Sequence, residues 1–187
     1  MGSRRRAVHR FPFGRAVPRR APGGIGVGQW EASGQTDDWW TPPVVFDALG
    51  CRFDTDVSHP GDARCCVPAQ RWIMTESLDR DWADYGFIWM NPPFGGRNAL
   101  SPWLGKFFEH RNGIALTPDR TSAPWFHAAW RCADAVLFTR KLRFLRPDGS
   151  EGVSPANGTA LWACGGQAVS ALHRAAHQGF GIFAVPA

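Results

Sequence analysis

A short polar and aromatic sequence, Asn91-Pro92-Pro93-Phe94, follows an apolar run in the segment GFIWMNPPFGG, residues 86–96. Proline has no backbone N–H and fixes its own φ angle, so these residues hold the chain extended with unpaired carbonyl groups. The side chain of Asn91 adds another carbonyl oxygen. Two acceptors on a stiff backbone suit an NH2 group, and Phe94 offers a flat face to the ring that carries it. The residues therefore predict a site for a nucleobase with an exocyclic amino group.

The elements around this sequence predict an α/β fold. CRFDTDV, RWIM, GIALT and DAVLF are predicted strands, and the continuous apolar run YGFIWM is typical of a strand covered on both faces. PPVVFDAL, LSPWLGKFFEHR and SAPWFHAAWRCA are typical of helices. This alternation favours a mostly parallel sheet with helices on both faces. The final third predicts strands at KLRFL and TALWAC around a polar loop, then the helix QAVSALHRAAHQ and the strand GIFAV, hence an antiparallel edge. Ligands of such sheets bind beyond the carboxyl ends of the strands, where NPPF lies.

The charge of the chain is unevenly distributed. The formal net charge is +5, yet seven arginines and no acid precede Glu31, so the remainder carries a net charge of −2. Residues 1–35 therefore predict a disordered basic tail, and residues 36–187 a single domain. The tail lacks the apolar stretch of a secretory signal, and five cysteines without a C-x-x-C pair favour free thiols. We expect a cytoplasmic protein without a membrane span.

The motifs and their order resemble the phage-type DNA N6-adenine methyltransferases, the Dam family. The resemblance runs from about Trp39 to Cys164 and is carried by WWTPPVVFDAL, FDTDV, TESLDRDW, FIWMNPPF, LTPDRTSAPWF and RKLRF. It implies a Rossmann-like methyltransferase fold and methyl transfer from S-adenosylmethionine to the amino nitrogen of adenine in double-stranded DNA. We expect a monomer, encoded by a phage or prophage and acting in a bacterial or phage-infected cell.

The resemblance assigns roles to particular residues. Asn91 and the carbonyl of Pro92 would accept the two amino hydrogens of a flipped adenine, with Pro93 stiffening the motif and Phe94 stacking on the base. The residues expected near the cofactor are Thr41, Pro42, Asp54, Asp56, Glu76 and Asn91. Of the two aspartates, we expect one to face the ligand. The loop SHPGDARCC has one glycine, Gly61, where many methyltransferases have Gly-x-Gly.

The resemblance makes a basic segment near residue 140 a candidate DNA contact. It contains Arg140, Lys141, Arg143 and Arg146, and it precedes the polar loop Pro147 to Gly158. The same charges could instead protect a solvated strand edge. The histidines, including His59, show no spacing typical of a metal site and are expected at the surface or at helix caps.

Two alternatives remain open from the sequence. The same acceptor site could serve cytosine N4, an RNA adenine or a protein glutamine. A catalytically silent DNA-binding module with the same fold is the alternative from another class of protein.

Overall fold

The computed structural model describes residues 39–95, 99–153, 155 and 157–186, and the predicted basic tail lies outside them. The described chain forms a mixed α/β fold with one seven-stranded sheet. The elements in chain order are α1 Pro43–Leu49, β1 Phe53–Asp56, β2 Ala69–Trp72, a 3-10 turn Ser77–Asp79, β3 Ile88–Met90, α2 Leu100–His110, β4 Gly113–Pro118, α3 Pro124–Cys132, β5 Ala135–Thr139, β6 Thr159–Cys164, α4 Gly166–His177 and β7 Gly181–Ala184.

The sheet has the strand order β2-β1-β3-β4-β6-β5-β7. Strands β2, β1, β3 and β4 pair in parallel, whereas β6 is antiparallel to both β4 and β5. The edge strand β7 is antiparallel to β5, as the predicted antiparallel edge requires. The reversal of β6 inside the sheet was not predicted, because it depends on pairings between strands that are distant in sequence, such as Ile114 with Ala163.

The predicted strand KLRFL is wrong. Residues 140–144 form no strand, and Leu145 makes isolated bridges to Trp40 and Glu151 outside the main sheet. The alternation that suggested a strand is present, since Leu142 and Phe144 are buried between exposed basic residues. The segment thus has the side-chain pattern of a strand, but it pairs with two short loops instead of with β5 or β6.

Helices cover both faces of the sheet, as predicted. Side chains of successive strand residues point to opposite faces, so Trp89 packs with α1 and α4 while Ile88 and Met90 pack with α2 and α3. The α1 helix begins with Pro43 in its first turn and ends at Gly50, which has a left-handed conformation with φ 57°. No helix in the described ranges has the length and apolar character needed to cross a membrane.

The chain changes direction across the sheet at β1. From β1 it crosses to β2 on one side, and the next strand, β3, lies on the other side of β1. Such a point leaves a crevice between the carboxyl ends of two adjacent parallel strands, and ligands bind there in open α/β sheets. Asp56 ends β1 and Asn91 follows β3, so both lie at this crevice.

Candidate active site

A cavity of about 430 Å³ lies at the carboxyl ends of β1 and β3. Four segments form most of its wall: residues 39–41, 56–60, 73–79 and 91–94. Its volume is within the range of about 300–1,000 Å³ that is common for small-molecule sites. Segments far apart in sequence therefore meet at the point where the sheet topology predicts a ligand.

Asn91 is held by two hydrogen bonds. Its backbone N–H donates to Ser58 Oγ at 2.8 Å, and its side-chain Nδ2 donates to the backbone oxygen of Trp39 at 3.0 Å. The NH2 group of the amide is therefore hydrogen-bonded within the protein. The acceptor Oδ1 receives no hydrogen bond from any described residue, so it remains available to a donor that enters the cavity.

The other three residues of the predicted motif belong to the wall of the same cavity. Pro92 is buried, Pro93 is exposed and Phe94 is half-buried, and all three line the cavity. The ring of Phe94 meets the ring of Phe144 edge to face, with centroids 6.2 Å apart and an interplanar angle of 87°. Phe144 therefore supports Phe94 from the basic segment.

The two aspartates of FDTDV occupy different environments. Asp56 lines the cavity and is 1% exposed. Asp54 does not line it: its Oδ2 accepts the N–H of Phe87 at 2.7 Å, and a Cβ atom at Gly86 would lie 2.3 Å from the same oxygen. Residues two apart in a strand lie on the same face. The two carboxylates therefore differ in their position along β1 and not in the face of the sheet that they occupy. Asp56 is at the carboxyl end, whereas Asp54 fixes the start of β3.

The ionisation of Asp56 is perturbed. Burial raises the pKa of its carboxyl from 3.8 to about 7, because a charge is poorly solvated there. The backbone N–H of Ser58 donates to Asp56 Oδ1 at 3.0 Å and lowers the pKa in part. A buried carboxyl with a perturbed pKa in a crevice is a functional-site candidate on physical grounds.

Of the other cofactor candidates, two line the cavity and one lies outside its lining. Thr41 lines the cavity and is buried, and its hydroxyl has no role as a helix cap because α1 has no side-chain cap. Pro42 is buried as the N-cap residue of α1 and lies outside the cavity lining. Glu76 lines the cavity, is exposed, and has the uncommon φ of 56°.

His59 is a cavity residue that the sequence interpretation missed. It is 4% exposed, so the expected surface position is wrong. Its Nδ1 accepts the N–H of Gly61 at 3.0 Å and its ring stacks on Trp72, with centroids 5.0 Å apart. Burial lowers the pKa of His59, which favours the neutral ring with its proton on Nε2. Its position directly behind the strand that carries Asp56 was the available signal.

Buried polar atoms without a partner concentrate at this cavity. Among the described residues, four such side-chain atoms occur: Trp40 Nε1, Thr41 Oγ1, His59 Nε2 and Ser77 Oγ. All four residues line the cavity. Since buried polar groups in folded proteins are normally hydrogen-bonded, this concentration indicates a site built for a polar ligand. The described residues contain no group of three or more His, Cys, Asp and Glu side chains placed to hold a metal ion.

The predicted DNA-contacting residues lie beside the cavity. Leu145 exchanges backbone hydrogen bonds of 2.9 Å with Trp40, and the chain then turns back through residues 146–152. Four basic side chains of this hairpin, residues 140–152, are exposed: Arg140, Lys141, Arg143 and Arg146. Arg143 lies 3.6 Å from the carboxylate of Glu151, and Arg146 donates to Ser150 Oγ at 3.2 Å. The hairpin therefore brings these charges to the side of the acceptor motif.

Comparison with known proteins identifies one family. The family model described as DNA N-6-adenine-methyltransferase (Dam) matches residues 31–163. Comparison with curated proteins and with solved structures gives no match. The matched range contains every predicted site residue and all four cavity segments.

Proposed function

Because the chain belongs to the DNA N-6-adenine-methyltransferase (Dam) family, we propose that it transfers a methyl group from S-adenosylmethionine to the N6 amino group of adenine in double-stranded DNA. The observation that carries this proposal is the orientation of Asn91. Its NH2 group donates to the backbone oxygen of Trp39, which leaves Oδ1 as the acceptor of this side chain, and both Asn91 and Pro92 line the cavity. An exocyclic amino group has the two hydrogens that such a pair requires.

The acceptor site acts by positioning. Oδ1 of Asn91 and the carbonyl oxygen of Pro92 would accept the two amino hydrogens, which localises the nitrogen lone pair and directs it toward the methyl group. Once the N–C bond has formed and the thioether has left, the nitrogen would release one of these hydrogens as a proton. Phe94 stacks on the base, a contact worth about 1–3 kcal/mol per base. The base must leave the duplex to reach these groups, because its amino nitrogen is inaccessible inside the stack. Correct orientation of reacting groups removes a large part of the barrier.

Further residues of the cavity wall are suited to hold S-adenosylmethionine. This cofactor supplies, when bound, a methyl group on a positively charged sulfur with a neutral thioether as the leaving group. Thr41, Asp56, Glu76 and His59 line the cavity together with Asn91. The unpartnered buried atoms fit a ligand that carries amino, carboxylate and hydroxyl groups. In this proposal Pro42 and Asp54 support the site through α1 and β3 without contacting the cofactor.

The topology agrees with a Rossmann-like assignment. The cavity lies where the strand order reverses, between the carboxyl ends of β1 and β3, as in doubly wound nucleotide-binding folds. We therefore assign residues 36–187 to one Rossmann-like methyltransferase domain, with β6 and β7 as its reversed strands.

The exposed basic residues of the hairpin are the proposed DNA contact. Lys141 and Arg140 follow β5 directly, at the same end of the sheet as the acceptor motif. Basic side chains on phosphates position a protein without reading sequence. Phe144 and Leu145 attach this segment to Phe94 and Trp40, so bound phosphates would lie at a fixed distance from the acceptor.

The proposal is tested by incubating the protein with labelled S-adenosylmethionine and duplex DNA and then separating the nucleosides. We expect labelled N6-methyladenine. Asn91→Ala should lower kcat by about 10²–10³-fold, the scale for removing one preorganised hydrogen-bonding group, while cofactor affinity measured by calorimetry stays near the parental value. Asn112→Ala, an asparagine outside the cavity lining, is the matched control and should keep parental turnover.

Other outcomes would identify the alternatives. A labelled methyl group on cytosine N4, on an RNA adenine or on a protein glutamine would show that the acceptor is different. The reaction would still be methyl transfer to an amino group. Absence of cofactor binding would favour a silent DNA-binding module. Unchanged turnover in Asn91→Ala would remove the proposed mechanism.

A further inference from the structure

Ser58 lies at the carboxyl end of β1, where the ladder between β1 and β3 ends. The last backbone hydrogen bond of that ladder joins the Val57 N–H to the Trp89 oxygen at 3.0 Å. The amide of Asn91, which follows β3 two residues after Trp89, donates instead to the side chain of Ser58, at 2.8 Å from Oγ. The Ser58 hydroxyl thus accepts a hydrogen bond at the point where a backbone carbonyl would accept it if the ladder continued.

This hydrogen bond has no substitute in the acceptor motif. Pro92 and Pro93 have no backbone N–H, so the amide of Asn91 is the one backbone donor of residues 91–93. The described backbone of residues 91–93 therefore has one donated hydrogen bond, the one to Ser58. The second contact, from Nδ2 to Trp39, orients the side-chain amide but does not fix the backbone.

Ser58 is itself tied to Asp56. Its backbone N–H donates to Asp56 Oδ1 at 3.0 Å, and its hydroxyl lies 3.5 Å from the same oxygen. One residue therefore connects the cavity carboxylate at the end of β1 with the acceptor at the end of β3. The hydroxyl can accept from Asn91 and direct its own hydrogen toward Asp56.

We propose that Ser58 is a positioning residue for methyl transfer, whose hydroxyl fixes the backbone of Asn91 and thereby keeps Oδ1 and the Pro92 carbonyl in place for the amino group. This inference rests on the proposed function. Ser58 touches neither the transferred group nor the base in this role; it acts through Asn91.

The role is separable from a general contribution to folding. The register of β3 is fixed upstream of Asn91 by hydrogen bonds from Asp54 to Phe87 and from Ile88 to Asn112. Loss of the Ser58 hydroxyl leaves these bonds in place and releases the backbone that follows Met90. Misplacement of a reacting group by about 1 Å can cost about 10²-fold in rate, so turnover should respond more than stability does.

Three variants test the inference: Ser58→Ala, Ser58→Val and Ser58→Thr. Thr and Val have nearly the same shape, and Thr alone of the two retains a hydroxyl. We expect Ser58→Ala and Ser58→Val to lower kcat by about 10–100-fold, with the dissociation constant of S-adenosylmethionine changed less than threefold. Ser58→Thr should recover most of the parental kcat. Equal turnover in the Thr and Val variants would overturn the inference, and this pair remains informative if Ser58→Ala fails to fold.

A measurement without turnover separates this inference from the proposed function. The exchange of the Asn91 amide hydrogen, followed by NMR, should be slow in the parent and in Ser58→Thr and at least tenfold faster in Ser58→Val. If the parent methylates no adenine but this exchange pattern holds, the proposed function fails and the anchoring of Asn91 stands. If exchange at Asn91 is the same in all three proteins, the inference fails whatever the activity.

Discussion

The buried carboxyl of Asp56 should make the protein less stable as the pH rises. The perturbation that tests this is Asp56→Asn, which keeps the size of the side chain and an oxygen that can accept the Ser58 N–H. Asp56 is 1% exposed, and its hydrogen bonds to Ser58 do not offset the loss of solvation. The variant removes the charge while leaving the local packing nearly unchanged.

The magnitude follows from the two ionisation constants. Burial raises the pKa of Asp56 from 3.8 to about 7, and a tenfold change in an ionisation constant corresponds to about 1.4 kcal/mol, so the buried charge costs up to about 4 kcal/mol. Between about pH 4 and pH 7 the folded protein binds one proton more than the unfolded chain. The free energy of unfolding therefore falls as the pH rises through this window, and the loss is complete above pH 7.

Urea unfolding of the parent and of Asp56→Asn at pH 4 and at pH 8 measures this effect. At pH 4 the two proteins should differ little, whereas at pH 8 the variant should be more stable by a few kcal/mol, with about 4 kcal/mol as the upper value. Taking the difference between the two proteins cancels the titration of other groups. A stability difference that is the same at both pH values would refute the reasoning.

The same variant should bind the cofactor more weakly. We expect calorimetry with S-adenosylmethionine at pH 8 to show reduced affinity for Asp56→Asn and parental affinity for the matched variant Asp54→Asn, since Asp54 lies outside the cavity. A variant that gains stability and loses affinity would show that the buried charge is retained for binding, as is common at functional sites. Parental affinity in Asp56→Asn would exclude this carboxylate from the cofactor site.

Two further predictions concern His59 and the basic tail. Replacing His59 with Phe keeps a ring against Trp72 but removes the Nε2 donor. The affinity for S-adenosylmethionine should therefore fall about tenfold, the scale of one net hydrogen bond. Calorimetry of His59→Phe and His59→Gln checks this, and parental affinity in the Phe variant would contradict it. Deleting residues 1–30 removes seven unopposed arginines. The plot of log affinity for duplex DNA against log salt should therefore become less steep by about 2–3 units, out of about 6 units if all seven arginines neutralised phosphates. Equal slopes with and without these residues would show that the arginines do not reach the DNA.

The local elements could be predicted from the sequence because their signals are local. The boundaries of α1 follow from Pro43 at its start and Gly50 at its end, and β3 follows from a run of apolar residues. The position of β6 could not be predicted in this way. Its place between β4 and β5 depends on pairs such as Leu116 with Leu161 and Leu137 with Leu161, and short-range patterns carry no information about such partners.

The candidate site shows the same division. Asn91 and Phe94 could be identified because an asparagine, two prolines and an aromatic ring have a chemical meaning in that order. Ser58 and His59 have no such pattern, since a serine and a histidine behind a strand are common in any loop. Their significance appears when the ends of β1 and β3 meet, which brings Ser58 to Asn91 across 33 positions of sequence.

The segment at Trp39 and Trp40 connects the acceptor with the basic hairpin. The backbone oxygen of Trp39 holds the amide of Asn91, and the next residue, Trp40, pairs in both directions with Leu145. The ring of Trp39 lies so close to Gly152 that a Cβ atom there would be 2.6 Å from it. Acceptor and hairpin are therefore packed onto the same two residues. In the proposed function this arrangement sets the distance between the phosphate contacts and the acceptor. A base that has left the duplex must reach the acceptor across that distance.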